Sequence, residues 1–530
     1  MRFRPFFPCL VLAVYGCSAA DYAADADQEV GSALAEATER ALGGRRESVV
    51  QPEPAKSEAE PAAAPAEPSE DAQPQASESA DSILHLDLEA ALRTAIASNR
   101  ELASEREQLY QQGLQFTGTR FEFGPQLAST VAAVWNDRET SRGILSLDGR
   151  AAVRQILPTG GSVSLDGGLG FDHFVGPLGD GFTTNGAVRL RQPLLQGAGY
   201  TASHEAWTRA QRELVYAVRR FELFRQRLSI DIARDYFGLI SQKQTLANQE
   251  RTYQDAVFDR RKAEALFSVD RNDEQQVFRA RRREIVTENE LIDARAAYKR
   301  ALDAFRVRLG LPVASTIDVV SQTPEFVPID MDDDSAVRAA LANRLDLLSQ
   351  REQVEDVERQ LAIAENGLLP DFNLDASYSL DGSGPSLDRA SPHDWSSSIG
   401  LTMEVPLQRT RERNSLRNAQ IALDRARRGL TQQCDQLDIE VRDQLRQLRS
   451  IEQQLVLQRE QIEQEKKAVA VMQIRYESGN VDNRDLLEAR QALIQAENAL
   501  IRLEVDHFVR RLELHRTLGV LFIDEQGMWQ

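Results

Sequence analysis

Apolar residues recur every seven positions over much of the second half of the chain. The series runs through Cys434, Val441, Leu448, Leu455, Ile462, Val469 and Tyr476. A seven-residue repeat held over several heptads predicts a helix that packs side by side with others as a coiled coil. A similar series, broken at Arg260, includes Ile232, Leu239, Leu246, Tyr253 and Phe267. We predict helices over about residues 199–267 and 411–477, each roughly 100 Å long at 1.5 Å per residue. Cys434 is then a small apolar packing residue rather than a reactive thiol.

Two other regions, about 126–193 and about 371–406, alternate apolar and polar residues and predict strands. Residues 373–380 and 398–405 are the clearest examples, joined by a link rich in turn residues. Each has about ten residues, which is the length that a tilted strand of a membrane barrel needs.

The sequence after residue 82 contains an internal duplication. Residues 91–96 correspond to residues 336–341 at an offset of 245, and Leu309-Gly310 corresponds to Leu518-Gly519 at an offset of 209. Such an internal duplication predicts two structural repeats of the same order, at residues 83–333 and 334–530. Each repeat would hold a helix of about 30 residues, a strand region and then one of the long helices.

The first 82 residues have a different composition. Two arginines and a short apolar stretch predict a signal peptide over residues 1–16. Residues 14–18 resemble a bacterial lipobox, which implies lipidation of Cys17; the alternative is an ordinary signal peptide with an incidental cysteine. Residues 17–82 are acidic and rich in Ala and Pro, so we expect a disordered tether after the lipidated residue.

Composition excludes several classes of protein. The formal net charge is −19, whereas a nucleic-acid partner calls for a basic surface. Three cysteines cannot form a disulfide framework. We find no nucleophile with its base, and His507 and His515 lie eight residues apart, which is no zinc pattern. The sequence therefore predicts neither an enzyme nor a metal or other cofactor.

The motifs resemble those of the TolC-type outer-membrane efflux proteins of the lipoprotein-anchored kind. The resemblance rests on the duplication, on residues 192–197 at a strand-to-helix junction, and on Arg475 to Gly479 ahead of Asp485 to Ala489. It implies a mainly α fold with a membrane β-barrel, in which duplicated coiled-coil helices form a periplasmic α-barrel. It also implies a homotrimer with four strands per subunit, in contact with outer-membrane lipid, a periplasmic adaptor protein and an inner-membrane pump.

The same resemblance implies roles for the residues at the helix tip. Arg475, Tyr476, Gly479 and Asp482 would form the turn that docks the adaptor. Gly479 suits a chain reversal and Asp482 a helix cap. Asp485 and Glu488 share one helix face, and the resemblance places such a pair at the pore constriction. The alternative is a solvated helix face.

The first repeat departs from this pattern. Gln276 and Arg279 replace the two acidic residues, and Arg271-Asn272 replaces the glycine of the turn. Residues 125–193 are also longer than residues 370–406 and predict an additional hairpin around Pro158-Thr159-Gly160-Gly161. That hairpin would either extend outside the cell or add two strands per subunit, for twelve or eighteen strands in a trimer.

Two functions remain from the sequence. The first is the passive exit duct of a tripartite efflux or type I secretion system, and the second is a structural coiled-coil protein of the envelope without a pore. Barrel-length amphipathic strands favour the duct. The sequence does not identify the cargo.

Overall fold

The computed structural model describes residues 19–43, 84–138, 141–174, 181–269, 273–320, 324, 326–478, 481, 483–524 and 526–529. Within these ranges no helix combines the length and the apolar character that spanning a membrane requires. Cys17 lies outside the described residues. The same holds for residues 44–82 of the predicted tether.

The described helices are α1 (Ala19–Leu42), α2 (Leu88–Ser98), α3 (Arg100–Phe123), α4 (Tyr200–Ser203), α5 (Glu205–Phe267), α6 (Glu274–Leu309), α7 (Asp333–Asn343), α8 (Leu345–Asn366), α9 (Thr410–Glu477) and α10 (Asn483–Thr517). The strands are β1 (Leu84–Leu86), β2 (Gln126–Arg138), β3 (Ser141–Ile156), β4 (Ser162–Phe174), β5 (Gly181–Pro193), β6 (Ile317–Val319), β7 (Asp371–Gly384) and β8 (Asp394–Glu404). Each half thus has a pair of shorter helices, a strand region, a very long helix and a return helix.

The chain divides into two compact units. One contains residues 1–66, 108–218 and 355–424, and the other contains residues 67–107, 219–354 and 425–530. In the first unit, the described strands form an antiparallel sheet of six in the order β2-β3-β4-β5-β7-β8. In the second unit, β1 pairs with β6 in parallel.

The additional hairpin, β3 with β4, lies in the middle of the sheet. β3 pairs with β2, and β4 pairs with β5, along most of their lengths. Its turn lies at the end where β5 leads into the helices: the Thr159 hydroxyl donates to Oε1 of Gln192 at 2.7 Å, and Gly199 N donates to the Thr159 carbonyl at 2.9 Å. Gly160 takes φ +90° in that turn, a conformation that favours glycine. The hairpin is therefore part of the sheet and not an extension beyond its far end.

Two equivalent glycines show the duplication in three dimensions. Gly310 and Gly519 follow α6 and α10 with φ of +79° and +71°. A Cβ on Gly310 would lie 1.9 Å from the Ser98 carbonyl oxygen, and one on Gly519 would lie 2.6 Å from the Asn343 carbonyl carbon. In each repeat, the end of the return helix thus packs against the backbone that joins the two shorter helices.

The seven-residue series packs as expected in the second repeat. Val441 and Leu448 are buried in a cluster to which α7, α8 and α10 contribute Val337, Leu347 and Leu514. Cys434 is partly buried against the same cluster, in agreement with its interpretation as a packing residue. Leu455 and Ile462 continue the buried stripe along α9.

The N-terminal region differs from the expected extended tether, because residues 19–42 form α1. One stripe of this helix is buried, and it consists of Val30, Ala33, Leu34, Ala37 and Ala41. The composition suggested disorder, but the apolar residues of this segment recur at helical spacing. Many of them are alanine, which is the best helix former. α1 packs on α3, where a Cβ on Gly113 would lie 2.6 Å from Val30 Cγ1, and the Tyr110 hydroxyl donates to Asp27 at 2.5 Å.

Candidate functional site

The sheet has one apolar face. Side chains alternate between faces along a strand, so paired residues of neighbouring strands share a face. Leu127, Val153, Leu165 and Val188 are partners across β2, β3, β4 and β5, and Val188 pairs in turn with Tyr378. Other exposed members of this face are Val131, Trp135, Leu147, Leu169, Ile399 and Leu401. A broad exposed apolar face of this kind suits hydrocarbon and not water.

The opposite face is polar and carries small or charged side chains. Gln126, Arg154, Ser164, Arg189 and Ser377 are successive partners across it. Arg189 forms an ion pair with Asp166, and Nε of Arg191 lies 3.9 Å from Oδ1 of Asp375. A cavity on this face is lined by residues of all six strands, including Gln126, Arg154, Ser164, Arg189, Asp375 and Ser398. The sheet is therefore concave on its polar side, as the wall of a water-filled barrel must be.

The second candidate site is the tip of the α9–α10 hairpin, in the other unit. Arg475 is exposed in the last turn of α9, whereas Tyr476 is partly buried. The Lys262 ammonium of α5 donates to the Tyr476 hydroxyl and lies 4.4 Å from the centre of its ring. This contact joins the last turns of α5 and α9 by a hydrogen bond and a cation–π interaction.

Asp485 and Glu488 both lie exposed in the first two turns of α10. Among the described residues, neither makes an ion pair or a side-chain hydrogen bond, and Leu486 between them is buried. Their carboxylates lie near the N-terminus of α10, the positive end of its helix dipole. Gly479 and Asp482 lie outside the described residues.

The first repeat presents a different charge at its tip. Gln276 and Arg279 are exposed near the start of α6. Arg260 of α5 forms ion pairs with Glu264 and Glu284, at 2.6 Å for the former. The arginine that interrupts the seven-residue series thus joins α5 to α6 by charge instead of by apolar packing.

Sequence reasoning missed the partners of the residues it selected. Lys262 carries no motif and lies 214 positions from Tyr476. The offset of 209 could have suggested the region, because it relates Tyr476 to Phe267 near the end of α5. Nothing in the sequence indicates that Thr159 bonds to Gln192.

Comparison with known protein families gives a match for the second repeat. Residues 336–520 match the family model "Outer membrane efflux protein". No curated protein sequence matches the chain. The family match thus covers most of the second repeat.

Solved structures match over a larger part. The CmeC outer membrane channel of Campylobacter jejuni has a TM-score of 0.62 and 15% identity, over 82% of this chain and 85% of that one. The outer membrane protein VceC of Vibrio cholerae has a TM-score of 0.61 and 16% identity, over 82% of this chain and 96% of that one. The open-state MtrE outer membrane channel of Neisseria gonorrhoeae has a TM-score of 0.58 and 13% identity, over 82% of this chain and 89% of that one.

The family model and the solved structures give two kinds of evidence, one on sequence and one on fold. At such low identity the structures show the fold alone, and the family model identifies the class of channel for the second repeat. Both agree with the sheet of amphipathic strands and the long paired helices. The resemblance to TolC-type proteins is therefore confirmed in two respects: the chain has the fold of solved outer-membrane channels, and its residues 336–520 carry the sequence of the outer membrane efflux protein family.

Proposed function

We propose that the protein is the passive exit duct of a tripartite efflux or type I secretion system. Three copies close one barrel, and their helices conduct cargo from a periplasmic adaptor and an inner-membrane pump to the exterior. The observation that carries this proposal is the described sheet, which is apolar on one face, polar on the other and open at β2 and β8. Open sheet edges cannot lie in hydrocarbon, so these strands must pair with those of other copies.

The direction of the edge strands supports this closure. Neighbours in the sheet are antiparallel throughout, and the number of described strands is even. β8 of one copy and β2 of the next are therefore antiparallel as well, so that each junction between copies continues the pattern within a copy.

Asp485 and Glu488 form the pore constriction in this proposal. Three copies bring six carboxylates around one axis, which attracts cations and repels anions. Arg475, with Gly479 and Asp482, presents the turn that docks the adaptor, and Tyr476 holds the base of that turn through Lys262. Cys17 carries the lipid that anchors the N-terminus in the outer membrane. The duct performs no catalysis and needs no cofactor.

The test is electron microscopy of detergent-extracted full-length protein, with its mass measured in the same preparation. We expect threefold particles with a barrel, and ion conductance after reconstitution in planar bilayers. Monomers, or coiled-coil rods that do not conduct, would contradict the duct and favour the structural envelope protein.

A further inference from the structure

We infer that the barrel of the assembled protein has eighteen strands, instead of the twelve that four strands per subunit would give. The inference rests on the proposed function, since it requires that three copies close one barrel. Six described strands per chain in three copies make eighteen. β3 and β4 are the additional pair, and the following observations place them in the barrel wall.

The first observation is their position in the sheet. β3 and β4 separate β2 from β5 and pair with both over eleven or more residues. A hairpin that served only as an extracellular extension would leave β2 and β5 paired with each other along the membrane. The close turn at Thr159 also lies at the helix-facing end of the sheet, whereas β2 ends and β5 begins at the opposite end.

The second observation is the chemistry of their two faces. Leu147, Leu165 and Leu169 are exposed on the apolar side, in line with Leu127 and Val131 of β2. A sheet extension in water would have no use for that row. β3 and β4 are also 16 and 13 residues long, which exceeds the 9–11 residues that cross a bilayer.

The third observation is the nature of their polar face. It carries Asp148, Arg150, Arg154 and Ser164, together with the small Gly168 and Gly170. Such side chains are suited to line water and are too short or too polar to fill a barrel core. The added strands thus widen an aqueous lumen instead of enclosing a second apolar core.

The consequence is a wider exit. With strands about 4.8 Å apart and tilted by about 40°, a barrel of twelve strands is about 24 Å wide between backbones and one of eighteen about 36 Å. The barrel then accepts bulky cargo and leaves the limit on cargo size to the helical part of the duct.

The sheet offers a variant that tests this width. Leu127, Val153, Leu165 and Val188 are level with one another, and β2 and β5 run in opposite directions. Deletion of residues 141–174 brings β2 beside β5 with Leu127 opposite Val188 and leaves four strands. Polymers of graded size, added from the barrel side in planar bilayers, measure the lumen of each protein through their effect on conductance.

We expect eighteen strands in electron-microscopy maps of the full-length protein, and a polymer size limit about one and a half times that of the deletion variant. A threefold particle with twelve strands and the hairpin outside its wall would overturn the inference and leave the duct standing. An unchanged size limit in a folded deletion variant would overturn it too. Absence of a threefold barrel would instead overturn the proposed function.

Discussion

The ammonium nitrogen of Lys262 lies 4.4 Å from the ring centre of Tyr476 and donates a hydrogen bond to its hydroxyl. The two residues belong to different repeats, so the contact closes the tip of one repeat against the other. A cation–π pair at a partly exposed site contributes about 0.5–1 kcal/mol. A contact with so small a free energy can be broken in an opening transition of the duct.

Replacement of Lys262 by Met should therefore favour the open duct. Loss of about 0.5–1 kcal/mol raises the ratio of open to closed channels by about two- to fivefold, when closure depends on this contact. Single-channel recording in planar bilayers measures that ratio. Lys467→Met, which removes an exposed lysine of α9, is the matched control. An equal effect of both substitutions would show that the lysine charge matters and the contact with Tyr476 does not.

The proposed acidic constriction predicts a change in ion selectivity. In Asp485→Asn with Glu488→Gln, six carboxylates leave the axis of a trimer, and the preference for cations should fall. Reversal potentials in a salt gradient measure the preference, and the difference should shrink above about 1 M salt, where the screening length is about 3 Å. Glu460→Gln, at an exposed site on α9, should leave selectivity unchanged. A double variant as cation-selective as the parent protein would assign Asp485 and Glu488 to a solvated helix face.

The two faces of the added hairpin predict opposite tolerance of charge. Leu169, in the middle of β4, lies exposed on the apolar face, whereas Ala152 lies on the polar face opposite Asp166. A lysine facing lipid near the middle of the bilayer costs about 2–4 kcal/mol, so Leu169→Lys should strongly reduce the yield of folded protein in the outer membrane. Ala152→Lys should remain within about 0.5 kcal/mol of the parent protein. Equal yields would mean that this face does not contact lipid.

The equivalent glycines predict equivalent losses of stability. Alanine at Gly310 must adopt a left-handed conformation, at about 1–2 kcal/mol, and must also displace the Ser98 carbonyl. Gly519→Ala meets the same problem at Asn343. Both should lower the midpoint of thermal unfolding in detergent. Gly429→Ala, in α9 with open space around it, should raise that midpoint, because it favours the helix by about 1 kcal/mol.

The contact of α1 with α3 predicts a dependence on pH. Burial, together with the hydrogen bond to Asp27 and the charge of Asp27, raises the pKa of Tyr110 from 10.0 to about 12. A raised pKa means that the contribution of this contact is complete below pH 10 and is lost as the pH rises through 12. Tyr110→Phe should remove this dependence. Proteolysis within α1 between pH 9 and 12 measures its release, with protease activity calibrated on an unfolded substrate at each pH. Parallel profiles for the two proteins would contradict the role of Tyr110.

Local patterns indicated much of the architecture. The seven-residue series through Val441 and Leu448 marks α9, because only a helix brings such positions onto one side. The match of Leu309-Gly310 to Leu518-Gly519 marks the duplication, since both glycines occupy the same strained turn. Alternation in residues 373–380 marks β7, because side chains on a strand alternate between its faces.

Other features depended on partners distant in sequence. The composition around α1 suggested disorder, whereas the structure buries one stripe of this helix and places its Val30 against Gly113 of α3. The tip residues Arg475 and Tyr476 were selected by resemblance, but the Lys262 contact requires α5 and α9 to lie side by side. Tertiary packing decides such pairs, because no local pattern specifies which helix faces which.

The sequence by itself determined the duplication, the coiled-coil helices and the presence of amphipathic strands, since each follows from the spacing of residues along one segment. It left the position of β3 and β4 open, because a hairpin has the same alternation inside or outside a wall. The tertiary structure decided that β3 and β4 lie between β2 and β5, since strand pairing is set by hydrogen bonds between segments and is absent from the pattern of either one.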